Sequence, residues 1–84
     1  MLERGTVVRS SAGRDKGSLL AVMQQEENRV FVCDGKERPI DRPKSKNIRH
    51  VQATGFSVTE SELETNRALR KALRRIDAEI NGNT

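Results

Sequence analysis

Aromatic residues are almost missing from this chain: there is no Trp, no Tyr, and only Phe31 and Phe56 in 84 residues. Proteins that read single-stranded nucleic acid stack its bases on exposed rings, so base stacking is not expected to dominate any binding here. Cysteine occurs once, at Cys33. That excludes an intrachain disulfide framework and a multi-cysteine metal site, and it fits a reducing cytosol. Cys33 ends an apolar stretch and reads as a small core residue. Histidine also occurs once, as His50, beside Arg49 and with no carboxylate next to it in the chain. It reads as a strand-end or solvent-facing residue, with a phosphate or base contact as its functional alternative. There is no phosphate-loop signature, zinc-ligand spacing or nucleophile motif, so no catalytic residue, metal or cofactor is expected and the chain is not read as an enzyme. No apolar run approaches the roughly 20 residues that cross a bilayer, and the N-terminus lacks an apolar signal-peptide core. A cytoplasmic protein without membrane contact is expected. Hydrophobic residues are only 33% of the chain, which limits the core and leaves no room for a large buried active-site cavity.

Positive charge is what the chain has in excess, and it is unevenly spread. The formal net charge is +4, and residues 1–50 carry eleven Lys or Arg against seven Asp or Glu, whereas residues 51–84 carry five of each. From Lys36 to Arg49 there are six cations against Glu37 and Asp41, a surplus equal to that of the whole chain. A polyanionic partner would account for such a concentration of charge, and so would an ordinary solvated face.

The first fifty-odd residues read as short strands separated by turns. Strands are expected near Gly5 to Ser10, from Ser18 to Gln24 and from Asn28 to Cys33, where β-branched residues cluster. Asp34-Gly35 suits a tight hairpin turn leading into a fourth strand at Lys36 to Arg38, and Ile48 to Ala53 supplies a fifth. Five short strands with few large apolar residues leave exposed edges unless they close, which favours a small barrel around Val7, Leu20, Val22, Val30, Val32, Ile48 and Val51. After Gly55 the period changes. Thr59 with Glu62 fits a capping box and Thr65 is a second cap, predicting a short turn followed by a longer helix. Leu69, Leu73, Ile76 and Ile80 fall on one face of that helix, suited to packing on the barrel, and Asn81-Gly82 is a stop signal. The expected division is a barrel over residues 1–55 and a helical appendage over residues 56–84.

The loop from Ser11 to Gly17 joins the first two strands and holds Gly13, Arg14, Asp15, Lys16 and Gly17. Consecutive amides in such a turn, flanked by two cations, are expected to form a concavity for an anion such as phosphate. Val7 to Cys33 resembles the KOW motif, a segment of alternating apolar and polar residues around a key glycine, with Gly17 in the glycine's place. Asp34-Gly-Lys-Glu-Arg38, Arg42-Pro-Lys-Ser-Lys-Asn-Ile-Arg-His50 and Thr65-Asn-Arg-Ala-Leu-Arg-Lys-Ala-Leu73 extend the likeness over about residues 3 to 75. Together they resemble a family of small bacterial KOW-domain RNA-binding proteins, similar to single-KOW ribosomal proteins of the archaeal and eukaryotic large subunit.

The resemblance implies an SH3-like barrel and RNA, above all ribosomal RNA, as the partner. The expected RNA-binding set is Arg14, Lys16 and Gly17 on the first loop with Lys44, Lys46, Asn47 and Arg49 on the second basic segment. Asn47 offers a directional hydrogen bond or simply makes a turn. With aromatics scarce, these cations are expected to hold the phosphates of a folded RNA. The alternatives are a protein-interaction module using the barrel face and the helix, with ribosomal or other proteins as partners, and a transcription-associated KOW factor. The chain is expected to act as a monomer.

Overall fold

A computed structural model describes residues 1–82. The chain forms five strands, β1 (Thr6–Ser10), β2 (Leu19–Glu26), β3 (Arg29–Cys33), β4 (Lys44–Asn47) and β5 (Val51–Ser57), and then a helix, α1 (Asn66–Gly82). The strands make one antiparallel sheet in the order β4-β3-β2-β1-β5. The mainly β fold with a C-terminal helix expected from the sequence is therefore present.

Both faces of this sheet are covered, which explains the unbroken apolar runs. Successive residues of a strand point to opposite faces. In β1, Val8 joins Leu20, Val22, Val30, Val32 and Val51 in a core on one face, with Leu2 and Ile48 packed against it. Val7 points the other way, into a second core with Leu19, Ala21 and Cys33, closed by Leu63, Leu69, Ala72, Leu73 and Ile76 from the C-terminal segment. The expected core thus holds except at Val7, whose inward position belongs to Val8. The helical stripe packs on the sheet as expected, with Leu69 and Ile76 almost fully buried and Ile80 partly so. Each such side chain contributes about 1.5–3 kcal/mol relative to an exposed one.

Two expectations need correction. The sheet does not close into a barrel, because β4 and β5, the ends of the strand order, are not paired with each other. The reason lies in β4, whose residues Lys44-Ser-Lys-Asn47 offer no apolar side chain with which to complete an interior. A single 3-10 turn, Ile48–His50, links the two edge strands. The short, lysine-bearing edge is itself protected against pairing with another chain. The expected strand at Lys36 to Arg38 is also absent. There the Asp34 carboxylate accepts the backbone N–H groups of Lys36 and Arg38 at 2.8 and 2.9 Å, while the Asp34 and Gly35 amides donate to the Arg38 carbonyl. A turn that satisfies its own backbone groups has none to offer a neighbouring strand.

The C-terminal segment follows its capping signals. The Glu62 N–H donates to Thr59 Oγ1 at 3.2 Å and the Thr59 N–H donates to Glu62 Oε1 at 2.9 Å, a reciprocal capping box at the 3-10 turn Ser61–Leu63. Thr65 Oγ1 then accepts the Ala68 N–H at 3.0 Å and starts α1, which runs through the expected stop at Asn81 to Gly82. The last two residues of the expected appendage lie outside the described residues. Asn66 Oδ1 accepts the Ile40 N–H at 2.9 Å and the Arg70 guanidinium donates to the Gly35 carbonyl at 2.7 Å, fixing α1 to the β3–β4 connection. Gly35, at φ +78°, allows that approach, since a Cβ there would collide with the Asn66 carbonyl.

Candidate nucleic-acid interface

The β1–β2 loop is held in shape by its own backbone. The amides of Lys16, Gly17 and Ser18 donate to the carbonyls of Gly13, Ser10 and Asp15 at 3.2, 2.8 and 2.9 Å. These three donors are therefore occupied, and the expected concavity of free amides is not formed by them. Gly17 sits at φ +91° with open space around it, so glycine is favoured there by backbone conformation alone. Charge on the loop is left to the side chains.

Asp15 ties this loop to the second basic segment. Lys46 Nζ donates to Asp15 Oδ1 at 2.9 Å and to the Ala12 carbonyl at 3.1 Å, and the Ser10 hydroxyl donates to the same carboxylate oxygen at 2.8 Å. Burial alone would raise the Asp15 carboxyl. Hydrogen bonds from Lys46 and Ser10, with the charges of Lys46 and Lys44, outweigh that effect and hold it below its ordinary value. The second oxygen, Oδ2, is buried without a hydrogen-bond partner. Lys46 is thus internal to the protein, joining two segments whose adjacency their separation in sequence could not reveal.

Between loop and strand lies a shallow groove lined by Ala12, Gly13, Arg29, Lys44, Ser45, Lys46, Asn47 and His50. His50 in the lining is exposed and Lys44 half-buried, while Arg14, Lys16 and Arg49 are exposed on the loop and the 3-10 turn that supply other lining residues. Asn47 Oδ1 accepts the Arg49 N–H at 2.9 Å and caps the 3-10 turn, so its side chain makes the turn. Gly17 lies on the loop's far shoulder, in a different cleft with Lys36, Arg70 and Arg74. Arg29 was not among the expected residues. It pairs in register with Asn47 and donates to Ser45 Oγ at 3.0 Å and to the Ser45 carbonyl at 3.2 Å. Only the pairing of β3 with the basic segment brings it to this groove.

The electrostatics follow from the ion pairs. Among the described residues these are Arg4 with Glu60, Arg9 with Asp77, Lys46 with Asp15 and Arg75 with Glu62. Arg14, Lys16, Arg29, Lys44 and Arg49 have no carboxylate partner within ion-pair distance among the described residues; Asp15, the acid between Arg14 and Lys16, is paired with Lys46, and Glu26 stands across the β2–β3 hairpin from Arg29. The groove presents positive charge on a polar, rigid frame without an exposed ring to stack on a base. Among the described residues no three His, Cys, Asp or Glu side chains converge where a metal ion could sit, and no helix is long and apolar enough to cross a membrane.

No protein-family model matches the chain, and no curated protein matches it.

Proposed function

We propose that this chain is a cytoplasmic, ribosome-associated RNA-binding protein of the KOW type, and that it holds the phosphates of folded ribosomal RNA in the groove between the β1–β2 loop and β4. The observation that carries this reading is a set of five cations without carboxylate partners, Arg29 and Lys44 in the groove and Arg14, Lys16 and Arg49 on the segments that frame it, with loop and strand joined by the Lys46–Asp15 ion pair. Cations on a rigid frame lose little freedom on binding, and arginine adds a bidentate grip that lysine lacks. Recognition is of phosphates and shape, as the scarcity of aromatics requires.

A protein-interaction module using the helix stripe has less support, since Leu69, Leu73 and Ile76 are buried against the sheet. The test is retention of purified large-subunit ribosomal RNA on filters across a salt series. Five phosphate contacts on a duplex-like site give a slope of log affinity against log salt of about −4 to −5. Replacing Arg14, Lys16, Lys44 and Arg49 by Glu is expected to abolish retention with little change in thermal unfolding. Undiminished affinity in that variant would overturn the reading.

A further inference from the structure

Helix α1 carries its charges in an order that opposes its own dipole. A helix is stabilised by acids in its first turn and bases in its last. Here the first turn has no acid and the last no base, while Arg67, Arg70 and Lys71 fill the first two turns and the acids Asp77 and Glu79 come late. Arg70 is accounted for by its hydrogen bond to the Gly35 carbonyl, but the side chains of Arg67 and Lys71 make no hydrogen bond or ion pair among the described residues, and a local rule broken without such a gain is expected where the residues serve something outside the fold. Arg67, Lys71 and Arg74 recur at helical spacing along the exposed face and carry no ion pair among the described residues.

Arg74, at one edge of that face, adjoins the β1–β2 loop, whereas Lys71 lies toward the other edge, beside Glu62 and Arg75. Arg70, Arg74 and Lys36 line a cleft with Gly17 and Ser18, the far shoulder of the loop whose near shoulder borders the β4 groove. The two acids in the cleft are engaged. Asp34 accepts backbone N–H groups of its own turn, and Asp77 lies 3.8 Å from Arg9, whose guanidinium also donates to the Gly17 carbonyl at 2.6 Å. Both acids keep their charge, but Lys36, Arg70 and Arg74 outnumber them, so net positive charge continues from the loop to the helix.

We propose that Lys36, Arg67, Lys71 and Arg74 form a second contact for RNA backbone, so that a folded RNA crosses from the β4 groove over the β1–β2 loop onto α1. This rests on the RNA-binding reading above and extends it to a surface that neither basic loop contains.

Lysine footprinting separates the two surfaces. The five lysines are Lys16, Lys36, Lys44, Lys46 and Lys71. Acetylation of the full chain, free and bound to purified large-subunit ribosomal RNA, is expected to show Lys36 and Lys71 protected along with Lys16 and Lys44, with buried Lys46 unreactive in both states. Protection of Lys16 and Lys44 alone overturns the second surface and leaves the first intact; protection of none, with no retention on filters, removes both. Protection of Lys36 and Lys71 by polyglutamate but not by RNA also overturns it, in favour of an acidic protein. A Lys36→Gln, Lys71→Gln, Arg74→Gln variant is expected to bind the same RNA on the order of 100-fold more weakly near physiological salt, with a slope shallower by about 2 to 3. Arg67→Glu is expected to raise Tm while weakening binding, a combination that a purely structural cation would not produce.

Discussion

Lys46 and Asp15 are 6% and 11% exposed at their side chains, and both are charged. Breaking a buried pair from one side leaves the other charge uncompensated, which costs about 3–5 kcal/mol. Asp15→Ala is expected to lose about that much in urea unfolding, and Asp15→Ala with Lys46→Met to lose less than the single change, because the stranded cation is gone. The pH dependence has a definite sign. Asp15 is held below its ordinary value of 3.8, so the pair's contribution is complete above that value and fades as pH falls toward the lowered one. The stability difference between the unaltered protein and Asp15→Asn should narrow as acid is added below pH 3.8. None of this was visible in sequence, because a lysine in a basic run looks like its solvated neighbours. Arg14 and Lys16, by contrast, stand in the solvent where their loop composition puts them.

Among the elements, α1 was the most readable, since its stripe, caps and starting turn all follow from residue type and spacing. Leu69→Ala, in the helical core that faces Val7 and Cys33, is expected to cost about 2–5 kcal/mol in chemical denaturation. Arg67→Glu should gain about 0.3–1 kcal/mol by placing an acid at the positive end of the helix. Strand β4 was the least readable. Its Lys-Ser-Lys-Asn has no apolar alternation, and it is a strand because β3 offers it a ladder: Arg29 pairs with Asn47 and Val32 with Lys44. The turn at Asp34 was recognisable from Asp-Gly, but not that the carboxylate would take up the amides of the residues meant to form the next strand.

At the scale of the whole molecule, the sheet and helix share one of the two cores, so neither has a complete interior without the other. Cys33 reports on this directly. It lies under α1, and burial foremost pushes its thiol up to about 11, which leaves it unreactive at neutral pH. Its reaction with a thiol reagent should appear together with the loss of helical circular dichroism through one denaturant transition; early labelling with the helix intact would show the two parts unfolding separately. Which face each valine takes could not be read from Val7 and Val8, because an apolar run buried on both sides carries no alternation. The ion pair between loop and edge strand also has a meaning in time. Asp15 and Lys46 are 31 residues apart, and β4 meets the rest of the sheet through β3 alone. Closing so long a loop before those strands are in place is entropically unfavourable. The charges of loop and edge strand are present in any unfolded chain, but their arrangement relative to one another is expected to be fixed only when this pair closes.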